Sequence, residues 1–197
     1  MKYVDRFLQD WRIRKGVRYL PRNARVIDVG AHQGELFRAL GPGLRAGFGI
    51  EPLLRAPWET SRFAIFPGHF PAVRPKDNEW DAITMLAVLE HIPRSEQKAL
   101  AEACYDLLRT GGRVIITVPT GAVDYILSAL RFMRVIDGMS LEEHFGFQPA
   151  ETMRIFALPR FKLVRHERFQ LALNHLFVFE KNAEPSSLSD LKTGVPS

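Results

Sequence analysis

Short apolar runs alternate with amphipathic stretches along most of the chain. The runs are rich in Val, Ile, Leu and Phe and are bounded by Gly, Pro or charged residues, which is typical of buried β-strands. They predict strands over residues 24–29, 46–50, 62–66, 80–86 and 112–118, with two more near 161–169 and 171–180. Between them, apolar residues spaced by three and four positions predict helices over about 33–40, 53–60, 94–109 and 150–158. Such alternation favours a parallel sheet with helices on both faces.

The remaining segments have patterns of their own. Tyr3, Phe7 and Trp11 share one face of a predicted amphipathic helix within residues 1–23, which Pro21 ends. A helix is also predicted over 122–135. The last 16 positions, 182–197, are rich in Ser, Pro, Gly and Asp, and this composition predicts a disordered tail.

Composition indicates an ordinary globular protein. A chain of 197 residues with 46% hydrophobic and 25% charged residues is large enough to form one domain around one core. No apolar run approaches the ~20 residues that a membrane-spanning helix needs, and the charged N-terminus does not resemble a secretory signal. Cys104 is the one cysteine, so no internal disulfide can form, and we expect a cytoplasmic protein with a buried thiol.

Positive charge is concentrated near the N-terminus. The net charge is +5, and six basic residues but no acidic ones lie between Arg12 and Arg25. A basic surface of this kind can contact RNA, an anionic membrane or an acidic substrate, and it can equally be a solvated helix face. Charge alone therefore does not identify a partner.

The most informative segment is a glycine turn that follows the first predicted strand. Gly30 and Gly34 lie between that strand and a helical pattern, so backbone N–H groups and a helix N-terminus face a ligand. The glycine spacing is not the G-x-G-x-x-G of dinucleotide-binding turns. Asp28 precedes the turn, and Glu51 ends the next strand, 23 positions later (51 minus 28). Asp28 would repel a pyrophosphate but favour a cation, and Glu51 can accept hydrogen bonds from a ribose, so the pair suits an adenosine that carries a positively charged amino acid.

Four segments resemble those of one enzyme family in order and spacing. They are VIDVGAHQG (26–34), GIEP (49–52), DAITMLAVLEHIP (81–93) and LRTGGRVIITVP (108–119). In these segments the chain resembles the class I S-adenosylmethionine-dependent methyltransferases of the small-molecule type, over about residues 24–181. The resemblance implies a Rossmann-like, doubly wound α/β fold. Its seven-stranded sheet is mostly parallel, with an antiparallel last strand.

The resemblance also implies a cofactor, S-adenosylmethionine, and the residues that bind it. The expected cofactor-binding residues are Asp28, Gly30, Ala31, His32, Gly34, Glu51, Pro52, His69, Phe70 and Leu86. Two positions depart from the family pattern. His32 stands where a glycine is common, although histidine tolerates the left-handed conformation better than most residues. His69 stands where an acidic residue often binds the adenine amino group.

Three residues are expected to act on the methyl acceptor. Glu90 and His91 follow the fourth strand of the pattern, and imidazole titrates near neutral pH, so His91 can serve as a general base. In related enzymes an insertion after the fifth strand covers the substrate. Here that insertion corresponds to residues 120–160, in which His144 is expected to face the acceptor.

A metal-assisted mechanism is the alternative to base catalysis. Some related methyltransferases carry E-x-x-E-H at this point and hold a divalent metal. Here the first glutamate is replaced by Ala87, which leaves Glu90, His91 and the later Glu143–His144 as possible ligands. We predict no metal.

The sequence thus predicts methyl transfer from S-adenosylmethionine to a small-molecule acceptor, most readily at oxygen. An RNA methyltransferase that docks through Arg12–Arg25 and a non-catalytic cofactor-binding scaffold remain as alternatives. The oligomeric state is not predicted.

Overall fold

The computed structural model describes residues 3–120, 148–156 and 159–183, with side chains from residue 6 onward. Four α-helices and eight strands lie in these ranges. The helices are α1 (Tyr3–Val17), α2 (Glu35–Leu40), α3 (Arg94–Leu107) and α4 (Pro149–Ile155). The strands are β1 (Ala24–Val29), β2 (Leu44–Glu51), β3 (Trp58–Glu59), β4 (Phe63–Pro67), β5 (Trp80–Leu86), β6 (Leu108–Pro119), β7 (Phe161–Phe169) and β8 (Asn174–Lys181). Short 3₁₀ turns cover Gly41–Gly43 and Leu89–His91.

The strands form one sheet in the order β3-β4-β2-β1-β5-β6-β8-β7. Strands β4, β2, β1, β5 and β6 are parallel, and β8 is inserted antiparallel between β6 and β7. This arrangement confirms the predicted doubly wound α/β fold. The sheet has eight strands rather than seven because the two-residue β3 pairs antiparallel with the edge of β4.

Side chains alternate between two buried faces of the sheet, as parallel strands covered on both sides require. Val26 packs with Ile13 of α1 and with Phe37 of α2. Its neighbour Ile27 packs on the opposite face, where Leu100 of α3 lies. The sheet therefore has helices on both faces, as the alternating pattern predicts.

The predicted helix over 53–60 is wrong. This segment instead forms a turn and then β3, in which Trp58 and Glu59 pair with Ile65 and Ala64. Pro57 explains the difference, because proline lacks a backbone donor and disfavours helical backbone in the residue before it. The helix predicted over 122–135 lies outside the described residues, and so does most of the predicted tail.

The C-terminal ends of the five parallel strands β1, β2, β4, β5 and β6 lie at the same edge of the sheet, which we call the carboxyl edge. Ligands of open α/β sheets bind beyond such an edge. Residues that end or directly follow these strands, such as Gly30, Glu51 and Leu86, therefore lie along it. No helix in the described ranges is both long enough and apolar enough to cross a membrane.

Candidate functional site

The glycine turn after β1 adopts the backbone conformations that its sequence predicts. Gly30, His32 and Gly34 have positive φ angles of 77°, 45° and 79°. The N–H groups of Gly30 and Ala31 both donate to the Ile50 carbonyl, at 2.9 and 3.1 Å, so the turn is fixed to the end of β2. Histidine at position 32 thus takes up the left-handed region without breaking the turn.

Gly30 is required by space as well as by conformation. A Cβ atom at this position would lie 2.6 Å from Cγ2 of Val88, in the segment after β5. Only a residue without a side chain lets the two segments approach this closely. The turn after β1 and the segment after β5 therefore form adjoining parts of one cleft.

Asp28 lies near the end of β1 and is buried, with 5% of its surface exposed. Its Oδ1 accepts a 2.6 Å hydrogen bond from the hydroxyl of Thr84, on the neighbouring strand β5. Burial raises the pKa of Asp28 from 3.8 to about 7; the Thr84 hydrogen bond lowers it, and the carboxylates of Glu35 and Glu51 raise it further. A cation bound beside Asp28 would favour its ionised form.

Glu51 ends β2 and holds the turn through both of its carboxylate oxygens. Oε2 accepts the N–H of His32 at 2.9 Å, and Oε1 accepts the N–H of Leu53 at 3.0 Å. Each carboxylate oxygen has a further lone pair, so Glu51 can accept two ribose hydroxyls without releasing the backbone. Asp28 and Glu51 lie on the neighbouring strands β1 and β2, as the sequence predicts.

Glu35 is a third carboxylate at this turn, and it is not among the residues predicted from the sequence. Its Oε1 lies 3.0 Å from Nδ1 of His32, and its Oε2 accepts the N–H of Gln33 at 3.0 Å. Glu35 is the first residue of α2, where a negative charge is favoured by the helix dipole. Its position at a helix start was the signal that could have identified it.

Helix α1 covers one side of the cleft. A cavity of about 40 Å³ beside Asp28 is lined by Gln9, Arg12 and Ile13 of α1, together with Leu86 at the end of β5. These three α1 residues follow the i, i+3, i+4 spacing of one helix face. From the sequence, Arg12 is predicted only as part of a basic segment, although this spacing could have placed it over the glycine turn.

Three further predicted cofactor residues lie beyond β2 and β4. Pro52 and His69 are exposed, whereas Phe70 is 6% exposed and packs in the core with Ile50. Pro52 follows Glu51 directly, and His69 follows β4, so both lie along the carboxyl edge. The buried ring of Phe70 supports this part of the edge from below.

The segment after β5 carries the predicted catalytic pair. Ala87, with φ of 60°, turns the chain, and its N–H donates to the carbonyl of Thr117 at 2.9 Å. Glu90 and His91 then lie in the 3₁₀ turn, where Glu90 is 2% exposed and His91 is exposed to solvent. The third predicted residue, His144, lies outside the described residues.

The donor set of this cleft fits S-adenosylmethionine. The ligand carries an ammonium and a sulfonium group, which suit the carboxylate cluster, and a ribose, which suits Glu51. Its carboxylate suits the Arg12 guanidinium. Within the described ranges, no group of three or more His, Cys, Asp or Glu side chains is arranged to hold a metal ion.

Solved structures of methyltransferases share this fold. A chain of the complex between the Haloferax volcanii Trm112 methyltransferase activator and a methyltransferase is 15% identical, with a TM-score of 0.68 over 92% of this chain and 94% of that chain. Magnesium protoporphyrin IX methyltransferase from Synechocystis PCC 6803, solved with bound S-adenosylhomocysteine (SAH), is 14% identical, with a TM-score of 0.62 over 92% and 89%. The Burkholderia thailandensis 1,6-didemethyltoxoflavin-N1-methyltransferase, solved with its substrate and SAH, is 16% identical, with a TM-score of 0.64 over 91% and 82%.

Sequence matching identifies the family. No curated protein sequence matches this chain significantly. The family model described as "Methyltransferase domain" matches residues 2–156, which is most of the chain. Together with the fold and the carboxylate-lined glycine turn, this match shows that the chain belongs to the methyltransferase domain family and is an S-adenosylmethionine-dependent methyltransferase.

Proposed function

We propose that this enzyme methylates a small-molecule acceptor at an oxygen atom. The observation that carries the proposal is the position of His91. Its side chain is exposed, and it follows β5 at the same edge as the carboxylate-lined turn after β1. A base at this point can receive the proton of a hydroxyl or phenol, which must be lost when such an oxygen is methylated.

The chain's own residues have distinct roles in cofactor binding. Asp28 binds the ammonium group, Glu51 binds the ribose hydroxyls, and Arg12 binds the carboxylate. When bound, S-adenosylmethionine supplies an electrophilic methyl group on its sulfonium. Leu86 and the turn residues Gly30 and Ala31 orient the ligand by packing against it, because they line the same cleft as Asp28.

On the acceptor side, an imidazole nitrogen of His91 takes the acceptor's proton. Glu90, buried in the same 3₁₀ turn, positions that ring. We further propose that residues 120–160 form an insertion in a domain of residues 24–181, and that His144 faces the acceptor from it. No metal is invoked. The cytoplasm remains the predicted location.

A small acceptor is favoured over RNA by what the basic segment contacts. Of its six basic residues, Arg12 lines the cofactor cleft and Lys15 pairs with Glu167 at 2.9 Å. Arg25 pairs with Asp77, and its guanidinium lies 4.4 Å from the centre of the Trp80 ring. Only the other three (Arg14, Arg18 and Arg22) are exposed. Three of the six basic residues therefore contact the cofactor cleft or other parts of the fold, and only the other three are available to bind RNA.

The test measures methyl transfer and cofactor binding separately. The purified protein is incubated with S-adenosylmethionine and a panel of phenols, carboxylic acids and primary amines, and SAH release is measured. We expect turnover with an oxygen nucleophile. His91→Ala is expected to reduce turnover by about 100-fold or more while changing SAH affinity by less than about twofold.

His69→Ala is the matched control, because it removes another exposed histidine of the same edge, on the adenine side of the site. We expect it to change cofactor affinity rather than turnover at saturating cofactor. Turnover confined to amines, or full turnover in His91→Ala, would contradict oxygen methylation with His91 as the base. Glu51→Ala is expected to abolish SAH binding, which tests the cofactor site independently of the acceptor.

A further inference from the structure

The most exposed large apolar side chains share one edge of the molecule. Among the described residues, Leu171 is 92% exposed, Leu53 is 88% exposed and Phe7 is 62% exposed. The other exposed large apolar residues (Trp58, Met153, Leu163 and Val164) reach only 36–48%. Single exposed apolar residues are ordinary on protein surfaces, so the point that needs explanation is their common location.

That location is the carboxyl edge. Leu53 follows the end of β2 by two residues. Strand β7 runs parallel to β1, and Leu171 lies in the turn that follows β7. This turn contacts the end of β6, because the N–H of Thr120 donates to the Leu173 carbonyl at 2.8 Å. Phe7 reaches the same end of the molecule, because the side chain of Gln170 donates to the carbonyl of its neighbour Leu8 at 3.0 Å.

The three side chains are too far apart to form one pocket. Leu53 and Leu171 follow β2 and β7, which are separated by five strand-to-strand steps, or about 24 Å at ~4.8 Å per step. The glycine turn after β1 lies between them. Points so widely spaced along one edge suit contact with an extended, flat surface rather than with a bound small molecule.

Each apolar side chain is accompanied by an exposed arginine. Arg6 precedes Phe7, Arg55 follows Leu53 by two positions, and Arg168 precedes Leu171 by three. None of these arginines forms an ion pair within the part of the chain that the structure describes. Apolar side chains next to unpaired cations are the combination with which peripheral proteins bind anionic bilayers, since the cations contact lipid phosphates and the apolar groups enter the interface.

We propose that the carboxyl edge docks on the surface of an anionic lipid membrane through Phe7, Leu53 and Leu171, with Arg6, Arg55 and Arg168 binding the headgroups. RNA is the less suitable partner, because two of the three apolar side chains are leucines, which offer no ring for a base to stack on. Docking in this orientation turns the cofactor cleft towards the bilayer. If the proposed function is correct, the acceptor would be an amphiphile presented at that surface.

Vesicle co-sedimentation of the full chain tests the docking surface, and it requires no methyl donor. We expect the protein to sediment with vesicles that contain phosphatidylglycerol, to remain in solution with vesicles of phosphatidylcholine alone, and to dissociate as salt is raised. Because the assay reports binding only, its failure is distinguishable from a failure of methyl transfer.

Two variants separate the apolar and the charged contributions. Leu53→Ser/Leu171→Ser is expected to weaken binding by about tenfold or more, since two apolar anchors are lost from the interface. Replacing Arg6, Arg55 and Arg168 together by Gln is expected to abolish the preference for phosphatidylglycerol. All five side chains are exposed, so we expect both variants to keep the wild-type melting temperature.

Leu163→Ser/Val164→Ser is the matched control, because it removes two exposed apolar side chains that lie near the start of β7, away from the carboxyl edge. We expect it to bind vesicles like the wild type. The proposal is overturned if the wild type does not sediment with anionic vesicles, or if the control loses binding as fully as Leu53→Ser/Leu171→Ser. It is equally overturned if the protein binds a single-stranded RNA oligonucleotide and not vesicles.

Discussion

The proton on Asp28 offers a sharp test of the cofactor site. The pKa of Asp28 is raised to about 7 in the protein without ligand, chiefly because the side chain is buried. A bound ammonium group favours the ionised carboxylate, so binding below neutral pH must release a proton from Asp28. Cofactor affinity is therefore expected to rise as pH increases through about 7 and then to level off.

The size of this effect follows from the pKa. About one unit below the pKa, roughly ten of every eleven molecules carry the proton, so SAH should bind about tenfold more weakly near pH 6 than near pH 8, a difference of about 1.4 kcal/mol. At pH 7, about half a proton should be released for each ligand bound. Calorimetric titrations with SAH in buffers of different ionisation enthalpy measure both quantities.

Two variants show whether Asp28 is the titrating group. Asp28→Asn should remove the pH dependence and weaken SAH binding by about 10- to 100-fold, as expected for the loss of a charge-assisted hydrogen bond. Thr84→Val removes the hydroxyl that favours the ionised carboxylate, so the midpoint of the affinity profile should move to higher pH. An affinity that is flat between about pH 6 and 8 in the wild type, or a profile that persists in Asp28→Asn, would refute the argument.

The raised pKa of Asp28 also predicts that the stability of the ligand-free protein falls as pH rises, whereas its cofactor affinity increases. A folded-state pKa above the unfolded value of 3.8 stabilises the folded protein at low pH, and this contribution is lost as pH rises through about 7. The full difference is on the order of 4 kcal/mol. At about pH 8, ligand-free Asp28→Asn should therefore melt several degrees higher than the wild type. SAH should raise the melting temperature of the wild type far more than that of the variant. A lower melting temperature for the variant at that pH would contradict the assignment.

Further expected outcomes concern the glycine turn and the contact between α1 and β7. Gly30→Ala places a Cβ atom 2.6 Å from Val88 at a φ of 77°. We therefore expect SAH binding to be lost and the free energy of unfolding, measured in urea titrations, to fall by about 1–3 kcal/mol. Gly43→Ala is the control and should behave like the wild type, because the space around its Cβ is open. Hydrogen bonds, the largest from Tyr19, lower the pKa of Glu167 to about 2, which stabilises the fold above pH 4.5 and is lost as pH falls towards 2. Glu167→Gln should therefore lower the free energy of unfolding by about 1–2 kcal/mol at pH 7, allowing for the partial exposure of Glu167. This loss of stability should shrink below pH 4.5. A loss that does not depend on pH would show that the lowered pKa of Glu167 is not its cause.

Local sequence was sufficient to predict the parallel strands of the sheet and the residues of the glycine turn. Strands such as β1 and β5 are buried on both faces and read as continuous apolar runs, so their bounds were predicted as the structure has them. Asp28 and Glu51 were identified because parallel neighbouring strands end at one edge, which makes two distant acids adjacent. The helix predicted over 53–60 failed because that segment's conformation is set by pairing with the edge strand β4.

The sequence by itself determined the alternation of strands and helices, a parallel sheet covered on both faces and the glycine turn, because apolar periodicity and glycine geometry are local properties of the chain. The doubly wound fold followed from the resemblance to the family, and the order of the strands from the folded structure. Only the tertiary structure decided how the side chains act together. Packing buried Asp28 against Thr84 and placed Glu35 and Glu51 near it, and this arrangement raises the pKa of Asp28. Packing also placed one side chain of the basic segment in the cofactor cleft, two in ion pairs and three in solvent. Desolvation and contact between residues distant in sequence have no local signature, so the electrostatics of the site could be read only from the folded chain.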